Sequence, residues 1–263
     1  MRVAVVGGNG KTGQAVQGAL HRRGVDTVSV GRAQWHDLAG TLDGCDAAYL
    51  IAPNLHPDEP GLVAEVLAAV RSAGVPRVVH HSVASPYAPA MPHHLGKARA
   101  EDVVRRGPAA WTILQPCAYL QNLVPGLRSG ARSIEVAYRV DVPFGLVDLE
   151  DVAEASAAVL VEPGHEGATY ELGGQSAVTV EDVAVAAGAI LGHQVAAVRI
   201  PPEEWAAGPG SALDDRQREW LLAMFGYYDQ HGLLTGALPL ATLLGRPATP
   251  LQDSLRAALA DGG

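Results

Sequence analysis

The sequence predicts an α/β protein with a doubly wound, mostly parallel sheet, and three observations carry that prediction. Short runs rich in β-branched residues, such as Arg2-Val3-Ala4-Val5-Val6 and Arg77-Val78-Val79-His80-His81, alternate with helical patterns. The first of these runs breaks into a glycine loop and then a helix. The whole chain of 263 residues is 48% apolar and 18% charged, a mix that provides ample core.

The glycine loop reads Gly7-Gly8-Asn9-Gly10-Lys11-Thr12-Gly13, with a helical pattern following from Gln14 to His21. Glycines at 7, 10 and 13 give G-x-x-G-x-x-G in the strand–turn–helix setting that a dinucleotide site requires, and the sheet is expected to be Rossmann-type. One glycine makes the tight turn, one lets backbone approach a pyrophosphate, and one lets helix and strand pack closely. Free N–H groups at the helix start then face the phosphates. Gly10-Lys11-Thr12 also suggests the end of a triphosphate-binding loop, but that motif needs a glycine where Val5 stands, inside the strand.

Thr27-Val28-Ser29-Val30 reads as the second strand and ends at Gly31-Arg32. An NAD site places an acid near this strand end to hold the ribose 2′-hydroxyl, whereas Arg32 suits a 2′-phosphate. Lys11 can add a second positive charge, so NADP(H) is expected over NAD(H). Residues 33–46 leave room only for a trimmed crossover, in which Trp35-His36-Asp37-Leu38 is expected to form a vestigial strand with Asp37 bordering the adenine. Ala47 to Ala52 is the next buried strand, and its end at Ala52-Pro53-Asn54 is expected near the cofactor, with Asn54 toward the substrate. Asp58 to Ala73 is an amphipathic helix closed by Gly74, and residues 77–81 form the following strand.

The net charge of −9 argues against nucleic acid or an anionic membrane as the main partner. No apolar run reaches the ~18 residues of a membrane span. The two cysteines, Cys45 and Cys117, have no metal-like spacing, and no leader is evident, which together predict a reduced, cytoplasmic protein without metal. No H-E-x-x-H pattern appears among the ten histidines.

Ser82 leaves the fourth strand, and after a Pro-rich loop His93-His94-Leu95-Gly96-Lys97 opens a helix running to about Arg106 that contains Glu101. Trp111 to Leu114 is another strand, leading to Gln115-Pro116-Cys117-Ala118-Tyr119-Leu120-Gln121-Asn122. With the glycine loop, these segments resemble the NmrA-like branch of the atypical short-chain dehydrogenase/reductases. The marks are Lys97 followed by Glu101, Trp111-Thr112-Ile113-Leu114-x-Pro116, Asn122, Asp148 to Ala153, Thr169-Tyr170-Glu171-Leu172 and Leu244-Gly245-Arg246-Pro247, in order along nearly the whole chain.

The resemblance implies a nicotinamide-binding lobe over residues 1–122, completed by about 148–191. A smaller substrate lobe would comprise 123–147 and 192–263. Members of this branch include quinone and triphenylmethane reductases, ketoreductases and NADP-sensing regulators without turnover. Short-chain dehydrogenases normally use Tyr-x-x-x-Lys, and here His93 holds the tyrosine position, four residues before Lys97. Residues at i and i+4 share a helix face, so His93 and Lys97 can point into one cleft. His93 can donate a proton as hydride arrives, Lys97 can hold the ribose or act itself, and Ser82 can orient a substrate oxygen. Pro116 and Tyr119 are expected at the cofactor, and Tyr119 and Asn122 at the substrate. Cys117 reads as a small buried hydrophobe rather than a nucleophile.

The chain after Leu123 is expected to be irregular up to Phe144. Helices follow from Asp151, capped by Asp148, and from Thr179 to Gly192, with strands at 168–172 and 195–200. The tail gathers Trp205, Trp220, Phe225, Tyr227 and Tyr228, most of them on a helix over about 213–230. Two aromatic stripes on one helix suit a wall for a planar substrate, in which Trp205, Trp220 and Phe225 take part. They equally suit a core contact or a contact with a second copy of the chain in a homodimer. Gly208-Pro209-Gly210 can hinge this region as a lid. The function implied is NADPH-dependent reduction of a hydrophobic or aromatic carbonyl, quinone or conjugated compound. The alternatives are a cofactor sensor that binds a protein partner, or an isomerase without net redox.

Overall fold

A computed structural model describes residues 1–260. Its main sheet has six strands, all parallel, in the order β2-β1-β3-β4-β5-β7. The elements run β1 (Arg2–Val6), α1 (Lys11–Arg22), β2 (Asp26–Val30), α2 (Leu38–Leu42), β3 (Ala47–Ile51), α3 (Glu59–Ser72), β4 (Arg77–His81), α4 (Pro92–Arg105) and β5 (Ala110–Pro116). Then come α5 (Pro125–Arg128), β6 (Ser133–Val136), α6 (Leu149–Val161), β7 (Ala168–Leu172), α7 (Val180–Leu191) and β8 (Ala196–Arg199). Four helices close the described chain: α8 (Pro202–Ala207), α9 (Asp215–His231), α10 (Leu238–Leu244) and α11 (Leu251–Ala260).

Strand alternation divides the core. Val3, Val5, Tyr49 and Val79 face α1 and α6, while Ala4, Val6, Leu50 and Val78 face α2, α3 and α4. Both faces are covered, as the expected doubly wound class requires. The expected caps hold their helices: Asp148 accepts from Glu150 N and Thr179 from Asp182 N, and Gly192 closes α7 in the left-handed conformation; Asp58, expected inside its helix, instead caps α3 by accepting from Gly61 N.

The crossover after β2 corrects the expected vestigial strand at Trp35–Leu38. Residues Arg32–Asp37 form a 3-10 helix running straight into α2, and no sheet partner is left for them. Asp37 caps α2 by accepting from Gly40 N at 3.0 Å, and the Trp35 indole N–H donates to Glu65 of α3 at 2.7 Å. Local side-chain bonds thus outcompete extension in so short a connection. The stretch 123–144 is also more regular than expected. It holds α5 and β6, and β6 pairs in parallel with β8 as a separate two-stranded sheet.

One contact fixes the first turn of α1 on the end of β1: a Cβ at residue 13 would lie 2.4 Å from the Gly7 carbonyl oxygen. Gly13→Ala is therefore expected to lower unfolding free energy by about 2 kcal/mol or more, because backbone must move. Gly18→Ala, whose Cβ would meet only the tip of Arg22 at 3.6 Å, is expected to raise it by about 0.5–1 kcal/mol. Urea unfolding of both variants reads the contrast, and a neutral Gly13→Ala would contradict it.

Candidate functional site

The glycine loop forms one wall of the site at the carboxyl edge of the sheet. Gly7 sits at φ +84°, and a Cβ there would lie 2.6 Å from the Ile51 carbonyl oxygen. Gly8, which the spacing argument passes over, is as constrained, since its Cβ would meet Ser29 Oγ at 2.5 Å. Gly10 differs. A Cβ there would meet only the Gly7 oxygen, at 3.4 Å, so the fold itself makes no demand for glycine. Gly10 opens α1 with no side-chain cap and no acid in the first turn. Among the described residues, the N–H groups of Lys11, Thr12 and Gly13 have no partner outside the helix. Such a row of donors at the positive end of a helix dipole takes an anionic group. Burial first, and Arg128 of α5 second, hold the Lys11 amine below its usual range, against a smaller upward pull from Asp148. These residues fit a dinucleotide diphosphate.

The other expected cofactor residues lie on several elements. Asn9 accepts from the Ser29 hydroxyl at 2.8 Å, tying the loop to β2. Arg32 is exposed at the start of the 3-10 helix that follows β2. Asp37 is also exposed and engaged with α2 as its cap. Ala52 is buried past the end of β3, and Pro53 and Asn54 are exposed beside it. Pro116 ends β5, and its carbonyl accepts from Ala84 N at 2.9 Å. Asn122 is exposed at the end of a short 3-10 turn.

The side chains of α4 are more engaged than the sequence indicates. Lys97 is buried, and its ammonium donates at 3.0 Å to Glu59, the first residue of α3, which is also buried. Ser82 donates to Glu101 at 2.6 Å. Glu101 is fully buried and also accepts from Gln115 at 2.7 Å and pairs with Arg105 at 3.0 Å. This network pins α4 to β4 and β5, and the Ser82 hydroxyl belongs to it. His93 is buried, with its ring stacked on Trp220 of α9 at 6.4 Å. Burial first, then Lys97 and His94, lower its pKa to about 3, so at neutral pH it is a neutral ring.

The tail aromatics divide between two surroundings. Phe225 packs on Trp205 at 4.9 Å and on Tyr138 at 5.8 Å, and Tyr228 packs on Tyr138 and Phe144, forming a core that anchors α9. Trp220 instead meets α4 through His93, with Arg216 over its ring at 4.6 Å. Arg216 donates to the carbonyl of Leu55, a buried residue at φ +55° in the loop after β3, at 2.9 Å. Helix α9 therefore lies across the ends of β3 and α4. The loop at Gly208–Gly210 is tied back to α8 by Gly210 N donating to Trp205 O at 2.8 Å.

A sequence model of the NmrA-like family matches residues 19–252. The chain belongs to the NmrA-like family. It is 30% identical over 192 residues to an NAD(P)H azoreductase of Xenophilus azovorans, a match covering 70% of this chain and 65% of that relative. Its fold is similar to that of an Escherichia coli NADPH-dependent quinone oxidoreductase complexed with NADPH, with TM-score 0.83 and 21% identity over 97% of this chain and 99% of that one. It is also similar to that of the Citrobacter triphenylmethane reductase complexed with NADP(H), with TM-score 0.82 and 22% identity over 97% and 99%.

In this NmrA-like chain, sequence reasoning missed Glu59, Arg128, His81 and Arg216, whose partners lie far away along the chain. Cys117 is the buried hydrophobe expected, its thiol pushed up to about 11 by burial. His80 is fully buried, and neither ring nitrogen has a partner among the described residues.

Two outcomes follow from these burials. Lys97→Ala strands the Glu59 carboxylate and is expected to lower stability by about 3–5 kcal/mol, whereas Lys97→Met with Glu59→Leu regains most of it. Equal losses in the single and double variants would contradict the pairing. His80, His81, His93 and His94 all have folded pKa values below the usual 6.5, with burial the first cause in each. The unfolded chain therefore binds more protons below pH 6.5, and stability present above that value is lost as pH falls. The slope approaches about 1.4 kcal/mol per pH unit for each histidine kept neutral. A urea midpoint that stays constant between pH 7 and 5 would refute this.

Proposed function

We propose that this chain is an NADPH-dependent reductase of a hydrophobic carbonyl, quinone or conjugated small molecule. The observation that carries the reading is the uncapped, acid-free start of α1 at Gly10, where the fold leaves open the space that a glycine keeps free. Bound NADPH supplies hydride to the substrate. The chain's own residues bind and orient. The amides of Lys11 to Gly13 hold the diphosphate, with Lys11 and Arg128 as counter-charges. Arg32 takes the 2′-phosphate, and this favours NADPH over NADH. Tyr119 and the turn after Pro116 border the reacting end of the cofactor, and Lys97 holds α3 and α4 in register beneath it.

Trp220 and His93 form an apolar wall, with Pro53, Asn54 and Asn122 on the rim, which suits a flat, conjugated substrate. The buried, neutral His93 is a positioning wall rather than a cationic acid, so solvent water delivers the proton that follows hydride. The relatives' names, an azoreductase and reductases of quinones and triphenylmethane dyes, agree with this substrate class.

A second reading, an NADP(H) sensor without turnover, is favoured by His93 in the tyrosine position and by its neutral state. NADPH oxidation with product formation, measured across quinones, azo dyes and ketones, separates the two. Turnover with at least one class is expected, and tight binding with no turnover on any would establish the sensor instead. Arg32→Asp is expected to move the ratio of NADPH to NADH affinity by about tenfold toward NADH. An unchanged ratio would remove Arg32 from the cofactor.

A further inference from the structure

Among the described residues, two that are not glycine adopt a left-handed backbone, Leu55 at φ +55° and Ser85 at φ +51°. Side chains are strained in that region, and such turns persist where their surroundings hold them. The two residues lie in the loops that leave β3 and β4, which are neighbours in the sheet. Each carbonyl accepts from a side chain of a wall helix. Arg216 of α9 donates to Leu55 O at 2.9 Å, and His94 of α4 donates through Nδ1 to Ser85 O at 3.3 Å. Ser85 N donates in turn to Glu171 at 3.4 Å.

Between these two anchors the side chains touch in sequence. The Arg216 guanidinium lies over Trp220 at 4.6 Å, Trp220 faces the His93 ring at 6.4 Å and 29°, and His93 meets His94 edge-on at 5.9 Å. A strap of four side chains thus joins the loop after β3 to the loop after β4. Its links are unequal. His93 and His94 are chain neighbours on α4, and Arg216 and Trp220 stand one turn apart on α9. The strap passes from helix to helix at Trp220 and His93, where ring faces alone meet, near the far end of the range for aromatic pairs. Helix α9 is held loosely there. Tyr228, at its far end, is its buried residue, while Arg216 and Trp220 are half-buried.

We infer that the junction of Trp220 with His93 is the substrate subsite, which a flat conjugated ring enters by parting the two side chains and lying between them. The inference deepens the reductase reading above and rests on it. A planar molecule between two rings needs about 7–8 Å from one to the other, twice a van der Waals contact of about 3.5–4.0 Å. A non-planar molecule needs more, so the subsite selects for flatness. When the rings part, each half of the strap stays with its own loop: Trp220 with Arg216 and Leu55, His93 with His94 and Ser85. Arg216 and His94 are therefore positioning residues, which keep both rings turned to the gap while it is filled.

The test titrates the NADP+ complex, which passes no hydride, with 2,3-dimethyl-1,4-naphthoquinone, a flat probe, and follows ring-13C histidine by NMR. The His93 signals are those missing in His93→Gln. Saturating naphthoquinone is expected to move the His93 ring protons upfield, as an aromatic ring stacked on them requires. Trp220→Leu is expected to weaken naphthoquinone binding by about tenfold while NADPH affinity stays within about twofold, and Trp220→Phe, which keeps a ring, to recover most of the loss. 2,6-Di-tert-butyl-1,4-benzoquinone, whose branched groups stand out of the ring plane, is expected to bind at least about tenfold more weakly than the naphthoquinone. Unmoved His93 signals at saturation, which need no variant to fold, or wild-type naphthoquinone affinity in Trp220→Leu, would overturn this inference alone. Failure of the naphthoquinone to bind a protein that reduces other compounds of the panel would do the same. If NADPH binds but the naphthoquinone does not, and no quinone, azo dye or ketone is reduced, the reductase reading and the inference fall together.

Discussion

The site depends on the bare contact between two stretches of backbone, the Gly7 carbonyl and residue 13. A side chain at position 13 would put its Cβ 2.4 Å from that oxygen, and one at Gly7 would strike Ile51 at 2.6 Å. With both absent, α1 begins almost on top of β1, and its first N–H groups open at the carboxyl edge of the sheet. Parallel pairing of β1 with both β2 and β3 then brings the ends of all three strands to the same edge. The dipole of α1 and the amine of Lys11 both act on whatever occupies that space.

The second wall is organised by buried charge. Lys97 and Glu59, paired at 3.0 Å, lock α4 to the first turn of α3. Glu101, with Ser82, Gln115 and Arg105, locks α4 to β4 and β5. Leaving any of these groups unpaired is far more harmful than forming the pairs is helpful, so the networks fix the geometry more than they raise stability. Helix α9 is then laid across the edge by Arg216 and Trp220 and anchored from behind by Phe225 and Tyr228.

What could be read in the sequence was what is local. The glycine spacing, the alternation of strands and helices, and the caps at Asp148, Thr179 and Gly192 each leave a signature within a few residues. The pairing of Glu59 with Lys97, of His81 with Tyr49 and Tyr119, and of β6 with β8 leaves none, because partners so far apart share no periodicity. The short crossover misled for the opposite reason. Trp35 to Leu38 has strand-like residues, but Asp37 and Trp35 found local and cross-helix partners that favour a turn. The aromatic tail was ambiguous in principle, since one helix carries both a core stripe and a tryptophan that meets α4 through His93.

Position 10 can be probed without disturbing the fold, because the structure accommodates a Cβ there in ordinary contact. The most direct measurement is calorimetric titration of Gly10→Ala with NADPH beside the wild type, with thermal unfolding of both proteins. If the loop cradles the diphosphate, Gly10→Ala unfolds at the wild-type temperature and binds NADPH at least about tenfold more weakly. An unchanged affinity in the stable variant would contradict the account.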